Sequence, residues 1–150
     1  MKKIDLAAAV RKEGSEYPPP YDRQCATRVR HALGDAAGLT QFGVNLLRLR
    51  PGAWSSQRHW HTAEDEFVWV IEGEVMLVTQ QAEESLRAGD CAGFKAGVPD
   101  GHHLQNRSNR DALILEIGAR DPEKDLVDYP DIDLVWGGAR GNLHKDGTSY

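Results

Sequence analysis

Apolar and polar positions along this 150-residue chain alternate in short bursts, and helical periods are almost absent. Phe42-Gly43-Val44-Asn45-Leu46-Leu47-Arg48-Leu49-Arg50 reads as a strand stopped by Pro51-Gly52. Glu66 opens a second strand, Phe67-Val68-Trp69-Val70-Ile71, closed by Glu72-Gly73. Because strand side chains alternate between faces, Glu66, Val68 and Val70 share one face, and Phe67, Trp69 and Ile71 the other. Val75-Met76-Leu77-Val78-Thr79 follows at hairpin distance, with Glu72-Gly73 as the expected turn. After the turn Ala88-Gly89-Asp90 come short candidate strands at Cys91–Phe94 and His102–Asn106, then a clear one at Ala112–Ile117. Strands of about five residues, with turn signals every 8–12 residues, indicate an all-β sandwich or barrel and argue against a βαβ fold.

The flanks have a different texture, and the expected division is 1–40, 41–120 and 121–150. Asp5 as N-cap and Gly14 beyond the end predict a short N-terminal helix. Residues 15–40, with Pro18-Pro19-Pro20, read as an arm or a strand lead-in rather than a helix. The stretch from Asp121 to Asp133 holds six acids against one base, so an irregular, solvated C-terminal extension is expected, packed on the barrel or trailing from it.

Composition narrows the functional classes. Hydrophobic residues make up 40% and charged residues 27%, and 15 Gly and 7 Pro suit a turn-rich β protein. A net charge of −5 without basic clusters argues against nucleic-acid binding. No apolar run approaches roughly 18 residues, so no membrane partner is expected. Met1-Lys2-Lys3 followed by Leu6-Ala7-Ala8-Ala9-Val10 imitates a secretion signal, but its apolar stretch falls short of the roughly 7–15 residues required. Cys25 and Cys91 lack CxxC spacing, and two reduced thiols in a cytoplasmic protein are expected.

Four of the six histidines, His59, His61, His102 and His103, crowd into a single stretch. In an extended strand His59 and His61 project to one face and can converge on one ion. Glu66 heads an otherwise apolar strand face; buried and unpaired it would cost on the order of several kcal/mol, and a metal is one relief. A solvent-facing hairpin end would equally accommodate these residues. His102 and His103 point to opposite strand faces. The face shared with Leu104 favours His102 as a ligand, which leaves His103 for substrate contact, for catalysis or as a simple surface histidine.

These residues resemble the motifs of the cupin superfamily. The first cupin motif runs Gly, His-x-His, three or four residues, Glu, six residues, Gly; this chain has Gly52, His59-Trp60-His61, four residues, Glu66, six residues, Gly73. Gly89, Gly97, His102 and Asn106 fit the second motif, although Lys95 stands where Pro is usual and the Gly97-to-His102 gap is two residues longer. The resemblance covers roughly residues 42–117. It implies a double-stranded β-helix, the cupin jelly roll, with one divalent transition metal ion (Fe, Mn, Ni or Zn) held by His59, His61, Glu66 and His102.

Three imidazoles and one carboxylate leave open positions on such an ion. Three function classes follow: a metal-dependent isomerase or epimerase of a sugar or sugar phosphate, which the resemblance favours; an Fe(II) dioxygenase of a small polar or aromatic metabolite; and a non-catalytic module that binds or senses a small molecule. Glu116, mid-strand among apolar neighbours, and His103 are the candidate catalytic groups. Arg48, Arg50, Arg58 and Lys95 are candidates for holding an anionic substrate, although Arg48 and Arg50 also fit a solvated strand face. Gln57, Ser55 and Asn106 are candidates for orienting the imidazoles. The apolar face of Phe67, Trp69 and Ile71 needs a cover, and a homodimer is expected.

Overall fold

In the computed structural model, which describes residues 3–150, short antiparallel strands form three sheets. Met1 and Lys2, which start the leader-like segment, lie outside the described residues. The predicted N-terminal helix is a single 3₁₀ turn, Leu6–Ala8, capped by Asp5, which accepts a hydrogen bond from the Ala7 N–H. The chain is already extended at β1 (Arg11–Glu13), ahead of Gly14. Residues 15–40 are not simply an arm: they contain β2 (Val29–Ala32) and a one-turn helix, α1 (Leu33–Ala36). The Val-Arg-His-Ala sequence of β2 has no apolar alternation, so only its pairing with β3 (Phe42–Leu49) defines it.

The largest sheet has the order β1-β2-β3-β10-β5-β8, where β5 is Glu66–Glu72, β8 Cys91–Phe94 and β10 Ala112–Ala119. A three-stranded sheet, β7-β6-β9, contains β6 (Glu74–Val78), β7 (Glu83–Arg87) and β9 (His103–Gln105). The two sheets enclose one core. Leu47, Leu49, Val68, Val70 and Ile114 come from the large sheet and meet Val75, Leu77, Leu86 and Leu104 from the small one. Each such side chain contributes about 1.5–3 kcal/mol by leaving water.

The expected β5–β6 hairpin does not form. At Gly73 (φ +81°) the chain instead crosses from the large sheet to the small one, and β6 pairs with β7 and β9. Glycine suits the crossing sterically: a Cβ there would stand 2.7 Å from the Asp111 carbonyl oxygen and 2.9 Å from Ala112 Cα.

The acidic tail is packed on the barrel through paired strands rather than trailing from it. β11 (Val127–Tyr129) pairs with β4 (Trp60–His61), and β12 (Leu134–Trp136) and β13 (Asn142–Leu143) complete a third sheet. Val127, Tyr129 and Leu134 are buried together. The acids at 121, 123, 131 and 133 line the outside, while the apolar residues between them bind the tail to the barrel.

The alternation predicted for β5 is present. Val68 and Val70 are buried, whereas Phe67, Trp69 and Ile71 remain 37%, 49% and 44% exposed. Cys25 is buried and Cys91 exposed, and both are free thiols. No helix among the described residues is long and apolar enough to cross a membrane.

Candidate metal centre

Four side chains meet at one end of the barrel. His59 and His102 face each other in an antiparallel bridge, with each backbone N–H donating to the other's carbonyl at 3.1 and 2.8 Å. Residues opposite one another project to the same side, so both rings point to the same spot. His61, two residues after His59, joins them, and Glu66 approaches from the first position of β5. The Glu66 Oε2 atom lies 3.4 Å from His59 Nε2, 3.3 Å from His61 Nε2 and 3.0 Å from His102 Nε2.

Hydrogen bonds fix two of the three imidazoles. His59 Nδ1–H donates to the Gln57 carbonyl at 2.9 Å, and His61 Nδ1–H donates to Asp125 Oδ2 at 2.7 Å. With Nδ1 carrying a proton, each ring turns Nε2 toward the Glu66 carboxylate, as a lone pair when the ring is neutral and as an N–H when it is protonated. The His102 ring is stacked on Phe94 at 3.5 Å with 3° between planes, and its buried Nδ1 has no partner among the described residues.

Lone pairs and a carboxylate oxygen converging on one point repel unless a proton or a cation lies between them. Burial works against the Glu66 carboxylate, yet hydrogen bonds from His102 and His59 and the nearby imidazole charge hold its pKa well below the usual range. Burial lowers the pKa of His102, whereas for His59 the partnership with Glu66 outweighs burial and raises it. A divalent ion would displace the protons that keep this cluster together. Three imidazoles and one carboxylate, with Nε2 atoms already presented, fit the donor preferences of such an ion. A neighbouring group, His61, Glu64 and Asp125, is not a second centre, because Asp125 already occupies the other nitrogen of His61.

The tail thus supplies a functional partner that the sequence did not reveal. Asp125 is 2% exposed; besides His61 it accepts from the Ala63 N–H at 2.8 Å and from Thr62 Oγ1 at 3.4 Å. Sixty-four residues separate it from His61, so only the β4–β11 pairing brings them together. The three expected orienting residues act differently. Gln57 serves His59 through its backbone carbonyl, Ser55 Oγ accepts from the Leu104 N–H, and Asn106 holds the carbonyls of Leu49 and Arg110.

His103 also borders the main cavity, but its ring is engaged with other groups. Its Nδ1–H donates to the Ser56 carbonyl at 2.9 Å, the ring packs edge-on against Trp54, and burial lowers its pKa to about 4.

The cavity behind the cluster has a volume of about 390 Å³ and is lined on one side by Glu116, Asn45 and Arg30. Arg30 lies opposite Leu47 in register and so faces inward. It grips Glu116 with two hydrogen bonds, Nε to Oε2 at 2.7 Å and Nη2 to Oε1 at 2.9 Å.

The predicted anion-holding residues lie elsewhere. Arg48 and Arg50 are exposed because Leu47 and Leu49 take the inward positions of β3, and Arg48 pairs with Asp111. Arg58 is engaged bidentately by Asp131 at 2.7 and 2.5 Å, outside the cavity. Exposed Lys95 borders a separate side pocket behind His61 and Glu66. The arginines that do line the main cavity are Arg28 and Arg30, from β2 and the segment just before it, and Arg120, which follows β10.

The sequence profile of the cupin domain matches residues 45–118. The chain is also similar to a sugar phosphate isomerase of the cupin superfamily from Silicibacter pomeroyi, with 43% identity, a TM-score of 0.91, and coverage of 99% of this chain and 96% of that one. A proposed sugar phosphate isomerase from Acidithiobacillus ferrooxidans shares 34% identity, with a TM-score of 0.69 over 73% of this chain and 69% of that one. A polyketide cyclase from Streptomyces resistomycificus has a TM-score of 0.63 at 16% identity, over 81% of this chain and 80% of that one, a likeness of fold alone. No curated protein sequence matches the chain.

Proposed function

This chain belongs to the cupin family, and from that premise we propose that it is a metal-dependent isomerase or epimerase acting on a sugar or sugar phosphate. The observation that carries the proposal is the convergence of three Nε2 atoms within 3.4 Å of one oxygen of Glu66. The likeness to the Silicibacter pomeroyi sugar phosphate isomerase supports the reaction class.

His59, His61, Glu66 and His102 would hold the ion, which when bound supplies Lewis-acid polarisation of a substrate carbonyl or hydroxyl oxygen. Asp125 and the Gln57 carbonyl orient the rings before any ligand arrives. Glu116 is the carboxylate best sited to move a proton at carbon, being diagonal to Glu66 across the β5–β10 register. Arg30 fixes both of its oxygens, so the proton-accepting atom is held in one orientation. His103, with its nitrogens hydrogen-bonded to Ser56 and Gln105, is left as a packing residue.

A cytoplasmic setting is part of the proposal and suits two free thiols. So is a second copy of this chain as the cover for Phe67, Trp69 and Ile71. The reaction is tested by incubating metal-loaded protein with sugars and sugar phosphates in deuterium oxide. Deuterium incorporated at the carbon next to the carbonyl, and lost in Glu116→Gln, supports it. Oxygen uptake without isotope exchange would replace it with an oxygenase.

A further inference from the structure

The charge of Arg28 is not matched by any acid. The residue is 8% exposed, and no carboxylate lies within ion-pairing distance of it among the described residues. Its Nε donates to the Gly14 carbonyl at 2.9 Å and its Nη1 to the Ser55 carbonyl, which leaves Nη2 without an acceptor among the described residues. The other arginines on the cavity are neutralised, Arg30 by Glu116 and Arg120 by Asp35. A buried cation without a counter-charge is costly, and an anionic ligand removes that cost.

A second observation points to the same place. Arg28, Arg30, Tyr17 and Tyr129 border both the main cavity and an adjoining cleft of about 520 Å³. The cleft is also bordered by Lys12, Glu13 and Glu16 and by Ser15, whose buried hydroxyl has no hydrogen-bond partner among the described residues. Tyr17 packs edge-on against Tyr129 at 5.6 Å and lies under the Arg28 guanidinium at 5.8 Å, and Tyr129 in turn lies 5.7 Å from His59. An unmatched guanidinium and an unused hydroxyl thus sit one aromatic pair away from the His/Glu cluster.

We infer, resting on the isomerase proposal for the other end of the substrate, that Arg28 and Ser15 form the seat of the substrate's phosphate group. A sugar phosphate then spans the cavity, with its carbonyl end at His59, His61, Glu66 and His102. Guanidinium suits phosphate because its planar donors form paired, charge-assisted hydrogen bonds. The N-terminal arm carries Ser15 and Tyr17 and therefore belongs to the binding site.

The test is calorimetric titration of inorganic phosphate, with acetate as control, into wild type, Arg28→Met, Arg28→Lys and Ser15→Ala. Circular dichroism and metal content are followed in parallel. Wild type should bind phosphate in preference to acetate. Arg28→Met should weaken binding about tenfold or more and Ser15→Ala several-fold, with metal content unchanged. Should Arg28→Met fail to fold, Arg28→Lys and Ser15→Ala carry the same comparison. Absence of phosphate binding, equal affinity in the Arg28 and Ser15 variants, acetate binding as tight as phosphate, or binding abolished by chelator in wild type would each overturn the seat. Phosphate binding through Arg28 in a protein that takes up no metal would instead leave the seat standing and remove the isomerase reading.

Discussion

Asp125 is fully buried against His61, and its charge sets which nitrogen of that ring faces Glu66. Asp125→Asn keeps the shape but offers a weaker acceptor. Metal affinity, measured by chelator competition, should fall about 10–100-fold. An unchanged affinity would show that His61 is oriented by packing alone. His103 makes a different kind of contribution. Its pKa is lowered to about 4 by burial, from an ordinary value of 6.5. Between those values the unfolded chain binds the extra proton and the folded chain does not, so stability is complete above pH 6.5 and declines as the pH falls toward 4. The loss is on the order of 3 kcal/mol. Urea unfolding at pH 7 and pH 4.5 should therefore show a smaller acid loss in His103→Gln than in wild type, and equal losses would contradict this role.

At the scale of elements, the site depends on where the chain changes sheet. Gly73 makes the β5–β6 crossing with φ +81° and no room for a Cβ, so Gly73→Ala should cost about 1–3 kcal/mol in thermal or urea unfolding. A neutral result would mean that the crossing relaxes. The strands themselves were largely legible in the sequence. β3, β5, β6 and β10 each carry an apolar alternation that burial enforces, and Glu66 was visible as a charge at the head of such a strand. The His-x-His and Glu spacing was legible because the ligands lie within eight residues of one another. β2 was not, because Val29–Ala32 owes its conformation to pairing with β3 rather than to its own pattern. Arg-x-Arg alternation occurs twice with opposite outcomes. Arg48 and Arg50 face outward because Leu47 and Leu49 compete for the core, whereas Arg30 faces inward beside Glu116. Asp125 was hidden among acids that composition assigns to solvent, and only the β4–β11 register distinguishes it from them.

At the scale of the whole molecule, two surfaces remain to be satisfied, the apolar sheet face and the metal cluster. Phe67, Trp69 and Ile71 form a contiguous exposed stripe with the half-buried Leu115 and Ile117 of the neighbouring strand. Sedimentation should give twice the chain mass for wild type, and Trp69→Glu should reduce it to the monomer; a wild-type monomer at micromolar concentration would contradict the dimer. The cluster is the central claim, because the cavity, Glu116 and the phosphate seat take their chemical meaning from it. Elemental analysis of protein purified without added metal tests it most directly. Wild type should carry about one divalent transition ion per chain, and the His59→Ala/His61→Ala double variant none. Folded wild type without a stoichiometric ion, or a double variant that keeps one, would contradict it.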